Sequence, residues 1–139
     1  MKLKLILSAA FLAVSFNIFA FDVTGNSFKS KFVVTSITVG GDVTSINLKS
    51  ADADRYGNVW VTYNFTSNGV AENQGTWDGF GFGLNNGKLA QGVLKGAWTR
   101  EGQVLNLISV DDVTDGLNLM QGKLDLVSGE LNIEVHQVD

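Results

Sequence analysis

Apolar and polar residues alternate along much of this chain. In Asn58–Thr66, NVWVTYNFT, Val59, Val61, Tyr63 and Phe65 occupy one parity and Trp60, Thr62, Asn64 and Thr66 the other. ELNIEVHQV repeats the pattern, with Leu131, Ile133 and Val135 opposite Asn132, Glu134 and His136. Period two is the signature of a strand with two unlike faces. Turn chemistry separates the alternating runs. Asn68-Gly69 and Asn86-Gly87 suit type I′ turns, whose two central residues need positive φ. Gly40-Gly41-Asp42, Glu101-Gly102 and Ser128-Gly129 add weaker breaks. The pattern predicts eight strands: Ser27–Val39, Val43–Ser50, Asn58–Thr66, Val70–Phe82, Lys88–Thr99, Gln103–Val110, Leu117–Val127 and Glu130–Val138. In LNLMQGKLDL the apolar parity changes between Leu117/Leu119 and Leu124/Leu126, which predicts a β-bulge near Gln121-Gly122.

Short connections make successive strands antiparallel, so the expected topology is an up-and-down meander. A meander of this length has two edges to protect, and closure removes both. The expected fold is therefore all-β, an antiparallel eight-stranded barrel, wide enough for a packed interior or one small ligand.

The stretch TWDGFGFGLNNG, Thr76 to Gly87, tests that reading. A dinucleotide-binding loop needs Gly-x-Gly-x-x-Gly between a strand and a helix. Here Gly79, Gly81 and Gly83 recur at every second position, Leu84 fills the sixth place, and a hairpin signal follows. Three glycines on one strand face, with Phe80 and Phe82 on the other, allow sharp coiling or close backbone approach. The motif is structural.

The first 20 residues differ from the rest. Lys2 and Lys4 precede an apolar block from Leu5 to Phe16, and Ala20 offers a small residue for cleavage. This arrangement predicts a secretory signal peptide over residues 1–20, its helix removed after export, and one barrel domain over 21–139. Ser15 and Asn17 interrupt the block too early for a membrane span. The expected location is periplasmic or secreted. Cleavage leaves 8 of the 10 basic residues against all 14 acidic ones, a net charge of −6. Such a surface disfavours nucleic acid and anionic lipid. No membrane association is expected after cleavage; the last strand also lacks the aromatic ending of an outer-membrane barrel.

Little in the chain points to catalysis or metal. With no cysteine, disulfides are excluded, and with one histidine besides, the usual zinc sites are disfavoured. Asp52, Asp54 and Gly57 begin like a calcium loop, but Tyr56 and Tyr63 stand where ligands belong. Asp111–Gly116, DDVTDG, fails similarly at Val113. Both segments are expected to be solvated turns. Glu134 and His136 share a strand face and are expected to face solvent, and Glu72, Asp78, Glu101 and Glu130 show no glycosidase spacing. No catalytic residue, metal ligand or cofactor is assigned.

Aromatic residues carry the positive evidence. They crowd three successive predicted strands, and Tyr63, Phe65, Phe80, Phe82 and Trp98 are the expected lining of a ligand cavity. Two Gly-x-Trp triplets, Gly75-Thr76-Trp77 and Gly96-Ala97-Trp98, stand in neighbouring strands. The triplet resembles one found in lipocalin and avidin-like barrels, where it belongs to the first strand rather than mid-chain. The glycine-alternating strand, tight turn and GVLKGAWTREG together resemble bacterial allene oxide cyclase-like barrels, over Asn58 to Asp139. That resemblance implies an eight-stranded antiparallel barrel with a small-molecule cavity. It transfers no cyclase site, because the plant cyclases use a proline and this chain has none. The leading expectation is an exported barrel that binds a small apolar or amphipathic molecule without catalysis. An isomerase or cyclase acting in the cavity is the enzymatic alternative. A self-associating surface or matrix protein is the third, since QVLNLISV carries apolar residues on both faces.

Overall fold

In the computed structural model, which describes residues 26–138, eight antiparallel strands close into a barrel. In chain order they are β1 Ser27–Thr38, β2 Val43–Ser50, β3 Asn58–Thr66, β4 Gln74–Asn85, β5 Lys88–Glu101, β6 Val104–Val113, β7 Gly116–Asp125 and β8 Glu130–Gln137. Every strand pairs with its sequence neighbours, and β1 pairs with β8 from Ser27↔His136 to Val33↔Glu130. The predicted signal peptide and its helix lie outside the described residues.

Most turns fall where glycine and asparagine predict them. Asn86 (φ 51°) and Gly87 (φ 78°) are both left-handed, as a type I′ turn requires. Asn68-Gly69 is different: only Gly69 has positive φ, and a loop runs on through Asn73. β4 consequently starts at Gln74 rather than Val70 and continues through Gly83 to Asn85. β6 also outruns its predicted end by three residues, to Val113.

The predicted bulge in β7 is absent, because β6 and β7 pair without a shift from Val104↔Asp125 to Val113↔Gly116. Leu117 and Leu119 simply face outward, while Asn118, Met120, Gly122 and Leu124 keep one inward parity. The irregularity instead lies in β1, between Val34 and Ser36. Thr35 is the extra residue, and the shift brings Ile37 opposite Ile46.

Strand alternation puts Phe32, Ile46, Leu48, Val61, Tyr63, Phe65, Trp77, Leu107, Leu124 and Leu131 into one interior core. The outer surface has two characters. Around β8, β1 and β2 it presents Asn132, Glu134, Lys29, Lys31, Ser45 and Lys49. Across β3 to β6 it presents Trp60, Phe80, Phe82, Val93, Ile108 and Val110.

Candidate functional site

The barrel has two unlike ends. One gathers the β1–β2, β3–β4, β5–β6 and β7–β8 connections and is plugged by indoles. The register sets Gly75 opposite Trp98 and Trp77 opposite Gly96, so each Gly-x-Trp triplet receives the other's tryptophan. A Cβ on Gly75 would stand 2.7 Å from Trp98 Nε1, and one on Gly96 would stand 2.8 Å from Trp77 Nε1. The Trp77 indole N–H donates to the Ala97 carbonyl at 3.1 Å, and that of Trp98 to Thr66 and Thr76 carbonyls at 3.1 Å each. Tyr63 and Trp77 rings lie 4.4 Å apart and Phe65 is 6.0 Å from Trp77, which completes the plug.

The other end is hollow. Gly79, Gly81 and Gly83 face inward against Tyr63, Val61 and the Tyr56 backbone, and Gly92 of β5 continues the bare wall. Neighbouring atoms already crowd the Cβ positions of Gly79, Gly81 and Gly83, whereas one at Gly92 would meet only ordinary contacts; Gly81, Gly83 and Gly92 border a cavity of about 90 Å³. Phe28, Phe32, Val61, Leu94, Met120 and Val135 supply apolar lining from five strands.

The β2–β3 loop covers this end. Asp54 and Gly57 exchange backbone hydrogen bonds at 3.1 and 2.9 Å, and Gly57 has φ 77°, which turns the chain tightly enough to aim Tyr56 across the mouth. The Tyr56 hydroxyl donates to Asp115 Oδ1 at 3.0 Å and accepts from Asn118 Nδ2 at 3.2 Å. Its ring meets Phe28 edge-on at 5.9 Å, and Arg55 pairs with Asp115 at 3.1 Å. Burial pushes the Tyr56 hydroxyl pKa up.

Asp111 is the chemical centre of the cavity. It lies in β6, in phase with inward Leu105, Leu107 and Ser109, and is 4% exposed. Burial raises its pKa to about 6, against the lowering effect of the Ser109 hydroxyl, which donates to Oδ1 at 2.6 Å. Oδ2 has no hydrogen bond among the described residues. Neither has the Tyr63 hydroxyl, whose pKa is raised by burial first and then by the Asp111 charge. Tyr63 and Asp111 both belong to the wall of the cavity. A carboxyl whose pKa is pushed up to about 6, in the wall of an apolar cavity, can accept a proton from a bound group or donate one to it.

The five aromatic residues predicted to line one cavity are therefore dispersed. Tyr63 lines it. Phe65 and Trp98 instead border a recess at the plugged end, and Trp98 is held there by its indole bonds. Phe80 and Phe82 are 55% and 42% exposed, because the glycines flanking them take the inward parity; Phe82 nevertheless borders the cavity. The expectation of a solvated turn at Asp111–Gly116 fails at Asp111 for a related reason. β6 extends through it, and odd parity in LNLISVD carries it inward. That parity was the available signal.

Asp54 has structural partners, accepting from Ser30 Oγ at 2.5 Å and the Tyr56 amide at 2.8 Å. No cluster of three or more His, Cys, Asp or Glu residues suited to a metal occurs among the described residues. His136 Nε2 stands 3.5 Å from Glu134 Oε1 on the outer face, away from the cavity. Comparisons with known protein families, curated proteins and solved structures find no match for this chain.

Proposed function

We propose that this barrel binds a small, mainly apolar molecule in the cavity beneath Tyr56, without catalysis. The observation that carries the reading is the mainly apolar cavity itself, walled in part by Gly81, Gly83 and Gly92, in a barrel of a size that side chains can fill. At about 90 Å³ the cavity is smaller than drug-sized pockets, which begin near 300 Å³, so it suits a short molecule or one end of a longer one. The predicted export and the polar β8–β1–β2 surface fit a binding protein working in water outside the cytoplasm.

Titration of the protein with short alcohols, ketones and aromatics, followed by amide shifts in a ¹H–¹⁵N spectrum, tests this. Saturable shifts at Gly81, Gly83 and Asn118 are expected. Gly92→Val should abolish them with the rest of the spectrum intact, since a side chain there meets only Val113 Cγ2 at 3.4 Å and the Asp112 carbonyl at 3.8 Å before entering the cavity. Unsaturable shifts across the whole panel would refute the reading. The enzymatic alternative is supported by Asp111, whose pKa near 6 suits a general base; it demands deuterium exchange α to the carbonyl of a bound ketone.

Self-association is a second reading, favoured by the outward aromatic and aliphatic face of β3–β6, where Ile108 is 61% exposed. Sedimentation at several concentrations tests it. Phe80→Lys would shift the protein toward monomer if that face pairs, and a monomer at every concentration excludes it.

A further inference from the structure

The cavity has a sign. The charged residues lining it are Asp54 and Asp111, with no Lys, Arg or His among its walls. Its other titratable members are Tyr56 on the loop and Tyr63 on β3, while β1, β4, β5, β7 and β8 contribute none. Arg55 is turned to Asp115 and stacks over Phe28 and Tyr56 at 5.7 and 5.8 Å from the ring centres, outside the lining. Asp54 is satisfied by Ser30 and the Tyr56 amide. Asp111, which lines the cavity together with Tyr63, is not: one oxygen accepts from Ser109, and the other has no hydrogen-bond partner among the described residues.

A carboxylate withdrawn from water without a cation is an unfavourable state, relieved by a proton or by a positive group brought to it. Building on the binding reading above, we infer that the cavity takes a protonated amine with a short apolar tail, the ammonium meeting Asp111 Oδ2 and the tail lying against the glycine wall. Apolar lining and only two carboxylates favour an organic cation over a metal ion, which would want more oxygen ligands. An anion is disfavoured by both acids. An alcohol could donate one hydrogen bond to Oδ2 but would leave the charge uncompensated.

Three probes of equal length separate these cases: n-butylamine, n-butanol and butyrate, titrated into the ¹⁵N-labelled protein. At pH 7.5 the amine should bind at least tenfold more tightly than the alcohol, and butyrate most weakly. At pH 4.5 Asp111 carries its own proton, and the preference for amine over alcohol should vanish in the unaltered protein. Asp111→Asn should remove the preference at pH 7.5 while keeping alcohol binding; if that variant does not fold, the comparison of the two pH values decides alone. Equal affinity for amine and alcohol at pH 7.5, or a preference unchanged at pH 4.5, overturns the amine inference and leaves the cavity reading standing. If none of the three probes gives a saturable shift, the amine inference falls, and the wider panel above decides the cavity reading separately.

Discussion

Gly92 and Gly96 stand four residues apart on the same inward face of β5, and they do opposite things. Gly96 is a socket: a methyl there would be driven into the Ile108 carbonyl and to within 2.8 Å of Trp77 Nε1. Gly92 lines the cavity, and a methyl there would meet only ordinary contacts, Val113 Cγ2 at 3.4 Å and the Asp112 carbonyl at 3.8 Å. Gly96→Ala should therefore destabilise the barrel by about 2–3 kcal/mol through overpacking. Gly92→Ala should be neutral or stabilise it by about 0.5 kcal/mol, because alanine suits a strand better than glycine. Urea unfolding midpoints of the two variants check this directly. Asp111 makes a second prediction. Its folded pKa, about 6, lies above the ordinary 3.8, so between those values the folded chain holds a proton that the unfolded chain has released. Stability from this group is present below about pH 4 and is lost as pH rises through 6, by roughly 3 kcal/mol at about 1.4 kcal/mol per pK unit. The difference in unfolding free energy between the unaltered protein and Asp111→Asn should fall by about that amount from pH 4 to pH 7. A flat difference would mean the carboxyl is hydrated. Alternation made Tyr63 and Phe65 legible as inward residues, and the same counting places Phe80 and Phe82 outside once the glycines are known to face in. Aromatic density along the sequence could not separate them, since both faces of β4 are bulky or bare by turns.

At the level of strands and loops, turn chemistry was the strongest guide where it demanded a particular backbone. Asn86-Gly87 gave a tight hairpin because both residues accept positive φ. Asn68-Gly69 carries the same letters, yet the chain uses only Gly69 that way and spends four more residues before β4 pairs. The bulge was misplaced because a parity change in leucines can mean outward leucines as easily as a slipped register. Tyr56 was hidden for another reason: its role depends on β6–β7 lying across the barrel from β2–β3, which no local pattern reports. Through its hydroxyl it ties those two connections together. Tyr56→Phe removes those bonds and should cost about 1 kcal/mol, and Tyr56→Ala also removes the edge contact with Phe28, for about 2 kcal/mol in all. Hydrogen exchange gives the sharper check. In Tyr56→Ala the amides of Gly83 and Asn118 should exchange faster, while those of Leu107 and Leu124 at the plugged end stay as slow as before.

Across the whole molecule, closure is what gives the chain an inside. The seam between β1 and β8 is as regular as the hairpins, with seven paired positions from Ser27↔His136 to Val33↔Glu130, and the Gln137 amide donates to the Asn26 carbonyl at 3.1 Å. Alternation and short connections foretold a meander; that its ends meet followed only from the need to cover two edges. Because residues 26 and 138 lie at the same end, a short Gly-Ser link can join them, and a new start can be opened elsewhere. Gly69 is the suitable place, with no atom within 4 Å of its added Cβ and a loop on either side. The permutant running from Gly69 round to Asn68 should keep the strand order and the far-ultraviolet spectrum, and lie within about 2 kcal/mol of the parent in urea unfolding. Opening the ring at Arg55 instead should cost more, because that cut releases Tyr56 from the mouth. If the Gly69 permutant failed to fold while β8 could be deleted without loss, the β1–β8 seam would be dispensable, and the glycine-lined space would be a groove in an open sheet rather than a cavity.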